Sequence, residues 1–282
     1  MINLTYNTWM QFIDACEYGV SDRPDTNRRS RDTNDFMRFF HTNTYTDAVQ
    51  LARAGWSEGT TQALALFMPL QDRLYSVIEQ TTIHYDTTGS ILDIGRYVSS
   101  EPEHWGEFSY SKVTGPGTKY IHIVVNGTAS GNISGHTLIA RGVAITALIN
   151  TLELAGHRVH VSVTYPIRTE YKGKEPAFTA TVTVKAYDES PDLDRIVYAT
   201  AHPSALRRHI FSLLECQSDA ACTELVRGGF GYPGDTAPGA QGDIYIPHMT
   251  SDDAPWSNPD KTFAWIIGYL EQQGVLAAQP TA

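Results

Sequence analysis

The stretch from Tyr120 to Thr164 constrains the fold most, because it reads as strand, loop, helix and strand within about 45 residues. Ile121 to Val125 is an apolar run with one polar interruption, and it leads into Asn126-Gly127-Thr128-Ala129-Ser130-Gly131. A helix is predicted from about Ser134 to Ala155, stopped by Gly156 as a C-cap. A second apolar strand, Val159 to Thr164, begins three residues after that cap. Strands joined through a helix in this way pair in parallel by a right-handed crossover. The chain is therefore expected to be an α/β protein with a mainly parallel central sheet.

The remaining pattern extends this reading to a three-layer, Rossmann-like sandwich preceded by a helical N-terminal region. In the first 80 residues, Ser21 to Asn34 holds four arginines among turn-forming residues and is expected to be a solvated loop. Thr46-Asp47 can cap a helix through Ala48, Val49, Leu51 and Ala52 that stops at Gly55-Trp56. A second helix, from about Glu58 to Gln80, carries Leu64, Phe67, Met68, Leu74, Tyr75 and Ile78 on a helical period, with a kink at Pro69. Three units follow: a helical front module over 1–80, a strand-and-loop connector over 81–118, and an α/β domain over 119–282. Within the last unit, Phe178 to Tyr187 alternates as an antiparallel edge strand with one wet face. Two helices, from about Leu193 to Ala201 and from about Ser204 to Glu215, meet at His202-Pro203. A Gly- and Pro-rich loop, Gly228 to Gly242, then precedes a short strand, Ile244 to Met249, and a last helix from about Pro259 to Gln273.

Composition limits the partners. Twenty-one Lys plus Arg stand against 31 Asp plus Glu, a formal charge of −10, so neither a nucleic-acid backbone nor an anionic membrane is the expected partner. The longest apolar stretch, Gly142 to Gly156, contains Thr146, Asn150, Thr151 and Glu153 and falls short of the roughly 20 apolar residues that span a bilayer. Met1 to Asp14 lacks the basic, apolar and small-residue order of a secretory leader. Cys16, Cys216 and Cys222 are too few and odd in number for a disulfide framework. These features together predict a cytoplasmic protein.

The Asn126 to Ser130 loop leaves the first parallel strand at its carboxyl end, where open α/β sheets bind ligands. Tyr120 to Tyr165 resembles the opening half of a von Willebrand factor A-type domain: an apolar strand, an Asp-x-Ser-x-Ser loop, a long helix ending near Leu-x-x-x-Gly, and a second apolar strand. The resemblance implies a cation site built from the loop's Asp and two hydroxyls, with a Thr and an Asp from later loops. Here Asn126 replaces the Asp and Thr128 the first Ser, while Ser130 remains. Thr128 and Ser130 still offer hydroxyls, and Asp252 or Asp253 stands where the family's late Asp would fall. One lost carboxylate lowers affinity for a hard cation such as Mg²⁺, so the resemblance implies a degenerate site with Thr128, Ser130 and Asp253 as its metal candidates and Asn126, Thr128, Ser130, Asp252 and Asp253 as its binding residues. Separately, Asp93 to Trp105 (DIGRYVSSEPEHW) resembles a stretch found in uncharacterised proteins of bacteria and their viruses.

Other polar clusters have simpler readings. His157 and His160 lie three apart at a strand start, on opposite faces, and make a poor metal pair. His209, Cys216 and Cys222 lack the close Cys pair of a zinc site. Glu101, Glu103 and His104 form an acid/base group on paper, in a loop that Pro102 and Trp105 would pack against the sheet edge. Asp192 and Asp194 suit a helix start, and Arg207-Arg208 a helix end. The usual nucleotide-binding, serine-hydrolase and zinc-protease patterns are absent from the sequence. The expected function is a non-enzymatic adaptor or assembly protein, its partner a protein such as an AAA+ ATPase or a phage assembly component. The rivals are a metal-assisted hydrolase or nuclease using Asp252, Asp253 and the Glu101–Glu103 loop, and a structural component of a bacteriophage particle.

Overall fold

The computed structural model of the protein describes residues 1–24, 27–33, 39–65, 81–88, 91–92, 94–110, 119–154, 156–171, 173, 175–250, and 261, 264, 265, 268, 271 and 272. It is a mixed α/β fold on a mostly parallel central sheet. The main strands are β1 (Ile2–Tyr6), β5 (Tyr120–Asn126), β6 (Arg158–Arg168), β7 (Phe178–Lys185), β8 (Tyr232–Pro233) and β9 (Ile244–Ile246). They run in the order β1-β7-β6-β5-β9, with β8 added on β6. β5 is parallel to β6 and to β9, and β1 is parallel to β7, whereas β6 is antiparallel to β7 and β8. The connector forms a second sheet, in which β4 (Trp105–Tyr110) lies between β2 (Thr81–Asp86) and β3 (Ile91–Leu92), antiparallel to both.

The crossover between β5 and β6 has the expected form. Its helix, Gly135–Leu154, ends before Gly156, whose φ of 85° is the left-handed conformation that glycine adopts without strain. The helix is long and apolar enough to cross a membrane, yet two-thirds of it (67%) is buried inside the protein. Leu193–Ala201 packs on it so closely that a Cβ on Gly142 would lie 2.2 Å from the Ala201 Cα.

The front of the chain differs from the expected helical start. Ile2–Tyr6 is a strand, and it covers the outer edge of β7, so Phe178–Lys185 is not an edge strand. Its alternation is plain: Ile2, Leu4 and Tyr6 pack on the core, and Asn3 and Thr5 are exposed. Helices Trp9–Tyr18 and Tyr45–Ala54 follow, and residues 57–65 are helical; the expected kink at Pro69 lies outside the described residues. The cap of the second helix is Thr44 rather than Thr46, in a capping box with Asp47. Trp9, Phe12, Ile13, Tyr45 and Val49 share one apolar core with the sheet residues Val161, Val163, Tyr165 and Val182, so the described front helices and the sheet are packed as one body. The described part of the arginine-rich loop is only partly solvated. Arg28 is buried against Glu215 (3.2 Å) and donates to the Ser212 hydroxyl (3.1 Å), because Glu215 is itself buried in the helix Ile210–Glu215 and requires a counter-charge.

Odd-numbered residues of β5 and β6 (Ile121, Ile123, Val125; Val159 to Ile167) and even-numbered ones of β7 (Phe178 to Val184) join this core together with the helices. By strand alternation the other residues point to the opposite face. Those are Asn3 and Thr5, Thr179, Thr181 and Thr183, His160, Ser162 and Thr164, and His122, Val124 and Asn126. The described helices that touch this core therefore lie on one face, and the second face is largely polar. Past its middle, β6 shifts register against β7 between Val161 and Ser162. This bulge accompanies the Lys185 ammonium reaching buried Glu153 (2.7 Å) and the Val159 carbonyl (2.7 Å). The expected strand Ile244 to Met249 is shorter, Ile244–Ile246, with one further bridge from Ala129 to Met249, and the described residues of the last helix, Lys261, Ala264, Trp265, Gly268, Glu271 and Gln272, are helical.

Two outcomes follow from this packing. Gly142→Ala gains about 1 kcal/mol of helix propensity, but its methyl group collides with the Ala201 backbone and overpacking costs about 1–3 kcal/mol, so the variant is expected to be less stable in urea denaturation. Burial holds His202 and His209 neutral, lowering each to about 3. A base whose folded pKa lies below its unfolded value of about 6.5 contributes stability that is whole above that value and is lost as the pH falls below it. The denaturation midpoint is expected to drop between pH 7 and pH 4, and more gently in His209→Gln than in the parent.

Candidate functional site

The Asn126 to Ser130 loop stands at the carboxyl end of β5, as the crossover demands, but its first side chain is turned inward. Asn126 is fully buried. Its amide nitrogen donates to the Gly234 carbonyl (2.8 Å) and to the Tyr245 hydroxyl (2.9 Å). Its Oδ1 accepts from the Thr128 amide (3.0 Å) and the Thr128 hydroxyl (2.7 Å). All four bonds that an asparagine side chain can make are thus made inside the protein. Asn126 and Thr128 are brought together as a turn that ties the loop to the 234–245 segment. Ser130 is held at the backbone, where its amide donates to the Met249 carbonyl (2.9 Å). Asp252 and Asp253 lie outside the described residues.

Below this loop the crevice is filled. Arg141 projects from the crossover helix, fully buried, and its Nη2 donates to the carbonyls of Asn126 (3.1 Å), Ile246 (3.3 Å) and Pro247 (2.5 Å). Burial lowers the guanidinium to about 10, still charged at neutral pH. A cation site at this place would have to coexist with that buried cation and would take neither Asn126 oxygen nor nitrogen without breaking the turn. Of the described residues, Asn126 and Thr128 are committed to the turn and do not present their side chains as Mg²⁺ ligands. Among the described residues, no group of three or more His, Cys, Asp and Glu is placed to hold a metal.

The other polar candidates are engaged in local structure. Glu101 pairs with Arg96 (3.3 Å), and its carbonyl meets His104 Nδ1 (2.6 Å), which folds the Glu101–His104 loop on itself. Asp192 caps Leu193–Ala201 by accepting from the Arg195 amide (3.0 Å), as read from the sequence. Arg207 and Arg208 are not exposed dipole partners at a helix end. They are buried in a π-helical turn, Ser204–His209, where Arg207 donates to the carbonyls of Phe39 (3.1 Å) and Ile133 (2.6 Å). His209 Nε2 lies 3.0 Å from the Tyr198 hydroxyl, and the Cys216 thiol faces the Gly19 carbonyl (3.2 Å), so these two make no metal pair. His157 is buried, accepting from the Lys119 amide (3.2 Å).

The polar sheet face carries what the sequence reading missed. A cavity of about 520 Å³ lies on it, lined by Asn3, Thr5, Thr164, Thr181, Asp235 and Thr236 among others. Thr5 on β1, Thr179 and Thr181 on β7 and Thr164 on β6 bring hydroxyls to its floor among apolar residues such as Leu4, Val124 and Pro238, and the Thr164 and Thr181 hydroxyls lie 3.3 Å apart. Glu175 and Asp235 supply carboxylates, and none of the described residues that line it is Lys or Arg. Such a lining accepts ligands that bring their own hydrogen-bond donors. One step further along the strands, His122 and His160 face each other with ring centroids 4.6 Å apart. Burial lowers both imidazoles, and the Asp243 carboxylate opposes the shift at His122. Only the register of β5 on β6 brings them together, although His122 is the polar interruption in the first apolar strand and marks the wet face of β5.

The chain belongs to the family described as Domain of unknown function (DUF7192), whose model matches residues 1–277. That match runs through the front helices, the connector and the central sheet alike. No curated protein and no solved structure matches the chain.

The buried turn makes a prediction opposite to a restored cation site. In Asn126→Asp the carboxylate would face the Gly234 carbonyl without a donor between them, so its folded-state pKa rises. A raised carboxyl loses its contribution as the pH climbs above about 3.9, and the variant is expected to trail the parent by about 2–4 kcal/mol at pH 7 and by less at pH 4. Urea denaturation at the two pH values checks this, and calorimetry with Mg²⁺ is expected to show no gain in binding.

Proposed function

For this member of the DUF7192 family, we propose a non-enzymatic role as an interaction protein, an adaptor or assembly factor that takes its partner on the polar face of the central sheet. The observation that carries the reading is the hydroxyl-floored, carboxylate-bearing cavity of about 520 Å³ on that face. Interfaces need fixed donors and acceptors on a rigid support, and the Thr residues here stand on sheet strands whose other face is the main apolar core. The acidic lining favours a partner segment rich in Lys, Arg or free amides.

A three-layer, Rossmann-like sandwich has helices on both sheet faces. In our reading the partner supplies the cover over the polar face, and the likeness to von Willebrand factor A-type domains is limited to the strand, loop, helix and strand of Tyr120 to Tyr165, without their cation chemistry. The free thiols of Cys16, Cys216 and Cys222 accord with a cytoplasmic setting for such a protein.

Charge placed in the cavity tests the proposal. Thr5→Arg with Thr181→Arg fills it and reverses its sign, and Glu58→Arg changes an exposed residue of the front helix as a control. In quantitative affinity purification from the native host, partners held by the parent and by the control are expected to be lost from the double variant, with the thermal midpoint retained. Equal recovery from all three proteins would place the interaction elsewhere.

A further inference from the structure

His122 on β5 and His160 on β6 are register partners across a parallel pair, so their side chains leave the same face of the sheet side by side. Their ring planes are inclined at 80°, and both Nε2 atoms converge on one point, lying 2.9 and 3.1 Å from the Ser162 hydroxyl oxygen. A hydroxyl can donate to one ring nitrogen and accept from the N–H of another, so both Nε2 atoms here share one small partner. Convergence of two Nε2 atoms on a common point is the geometry of a chelating pair. The two rings stand 4.6 Å apart, centroid to centroid, close enough for both to bind one ion.

The surroundings hold the pair in place. Asp243 Oδ2 accepts from the His122 amide (2.7 Å), and the Asp243 amide donates to the His122 carbonyl (2.9 Å), which pins this turn of chain to β5 and keeps a carboxylate near. Tyr187 packs on the His160 ring (5.2 Å), and Tyr120 packs on Tyr187 (5.5 Å). Both histidines are half-buried, so the site opens toward solvent. Among the described residues no third His, Cys, Asp or Glu completes a ligand set.

We propose that His122 and His160 form a two-histidine chelate for a divalent transition-metal ion of the imidazole-preferring class, the ion taking the place of the Ser162 hydroxyl between the two nitrogens, with its other positions open to water or to a donor atom of a bound partner. Copper(II) binds more tightly than zinc at such a site, in the order common to nitrogen ligands.

The test uses the full chain without a histidine tag. Copper(II) titrated by calorimetry is expected to bind in one equivalent with a roughly micromolar dissociation constant, and pulsed EPR of the complex to show two imidazole nitrogens. His122→Gln and His160→Gln are each expected to weaken binding by roughly tenfold or more, while His136→Gln, at an exposed histidine elsewhere, leaves it unchanged. A parent protein that binds no copper below about millimolar concentration, a nitrogen count other than two, or full binding in either site variant would overturn the assignment. Should either variant fail to fold, zinc protection decides the matter on the parent chain. Carbethoxylation mapped by mass spectrometry is expected to be suppressed at His122 and His160 together, and its persistence at either one would sink the proposal.

Discussion

The parallel pairing of β5 with β6 is the constraint from which the remaining architecture follows. Two parallel neighbours cannot be joined by a tight turn, so the chain must climb back over the sheet, here along Gly135–Leu154. That helix is apolar on nearly every side: Leu138, Ala144, Ile145, Leu148, Ile149 and Leu152 are all buried. A helix of this kind requires cover on its outer side as well as its inner one. Leu193–Ala201 supplies the cover, and the contact at Gly142 is close enough that Thr146 and Thr200 hydroxyls come within 3.4 Å. Helical mass accumulates on one face as a result. The strands answer by sorting their residues, with Val, Ile and Tyr toward the helices and Thr, Ser, His and Asn away from them.

Buried charges fix how distant parts of the chain meet. Lys185 with Glu153 ties β7 to the end of the crossover helix, and Arg28 with Glu215 ties the front loop to a helix near residue 210. Each pair pays a desolvation penalty, so its net stabilisation is small, but removing one partner leaves the other charge stranded and costs about 3–5 kcal/mol. Such pairs act more on which segments meet than on total stability. Arg141 plays this part at the carboxyl edge. By binding the carbonyls of Asn126, Ile246 and Pro247 it satisfies the ends of β5 and β9, and in doing so it fills the crevice where open α/β sheets hold ligands. On the proposed reading, recognition falls to the face rather than the edge.

Periodicity made the crossover legible from residue types alone, since both strands and the glycine stop have strong local signals. The opening strand was equally available, because Ile2, Leu4 and Tyr6 alternate with Asn3 and Thr5. Yet five alternating residues form a strand only when an exposed edge such as that of β7 receives them, and that edge is set by residues about 175 positions away. The arginine-rich loop misled for a different reason. Its composition is that of a solvated turn, and only the buried Glu215, some 185 residues away along the chain, makes Arg28 an interior residue. Non-local electrostatics of this kind leave no mark on the local pattern.

The loop after β5 shows the limit of matching residue types to chemistry. Asn126, Thr128 and Ser130 have the spacing of a cation-binding turn, yet ligation depends on where lone pairs point, and that is settled by which donors and acceptors lie on the far side. Gly234 and Tyr245 arrive from a segment more than 100 residues later and accept from the amide nitrogen, while Thr128 donates to the amide oxygen, so the turn uses a group that both donates and accepts. An aspartate would leave the Gly234 carbonyl without its donor, which gives asparagine a part in the turn that needs no cation. On the sheet face, where β5 and β6 run in register, His122 and His160 turn both Nε2 atoms onto the one Ser162 hydroxyl, and ring nitrogens that share a single small partner are placed for a metal ion to replace it.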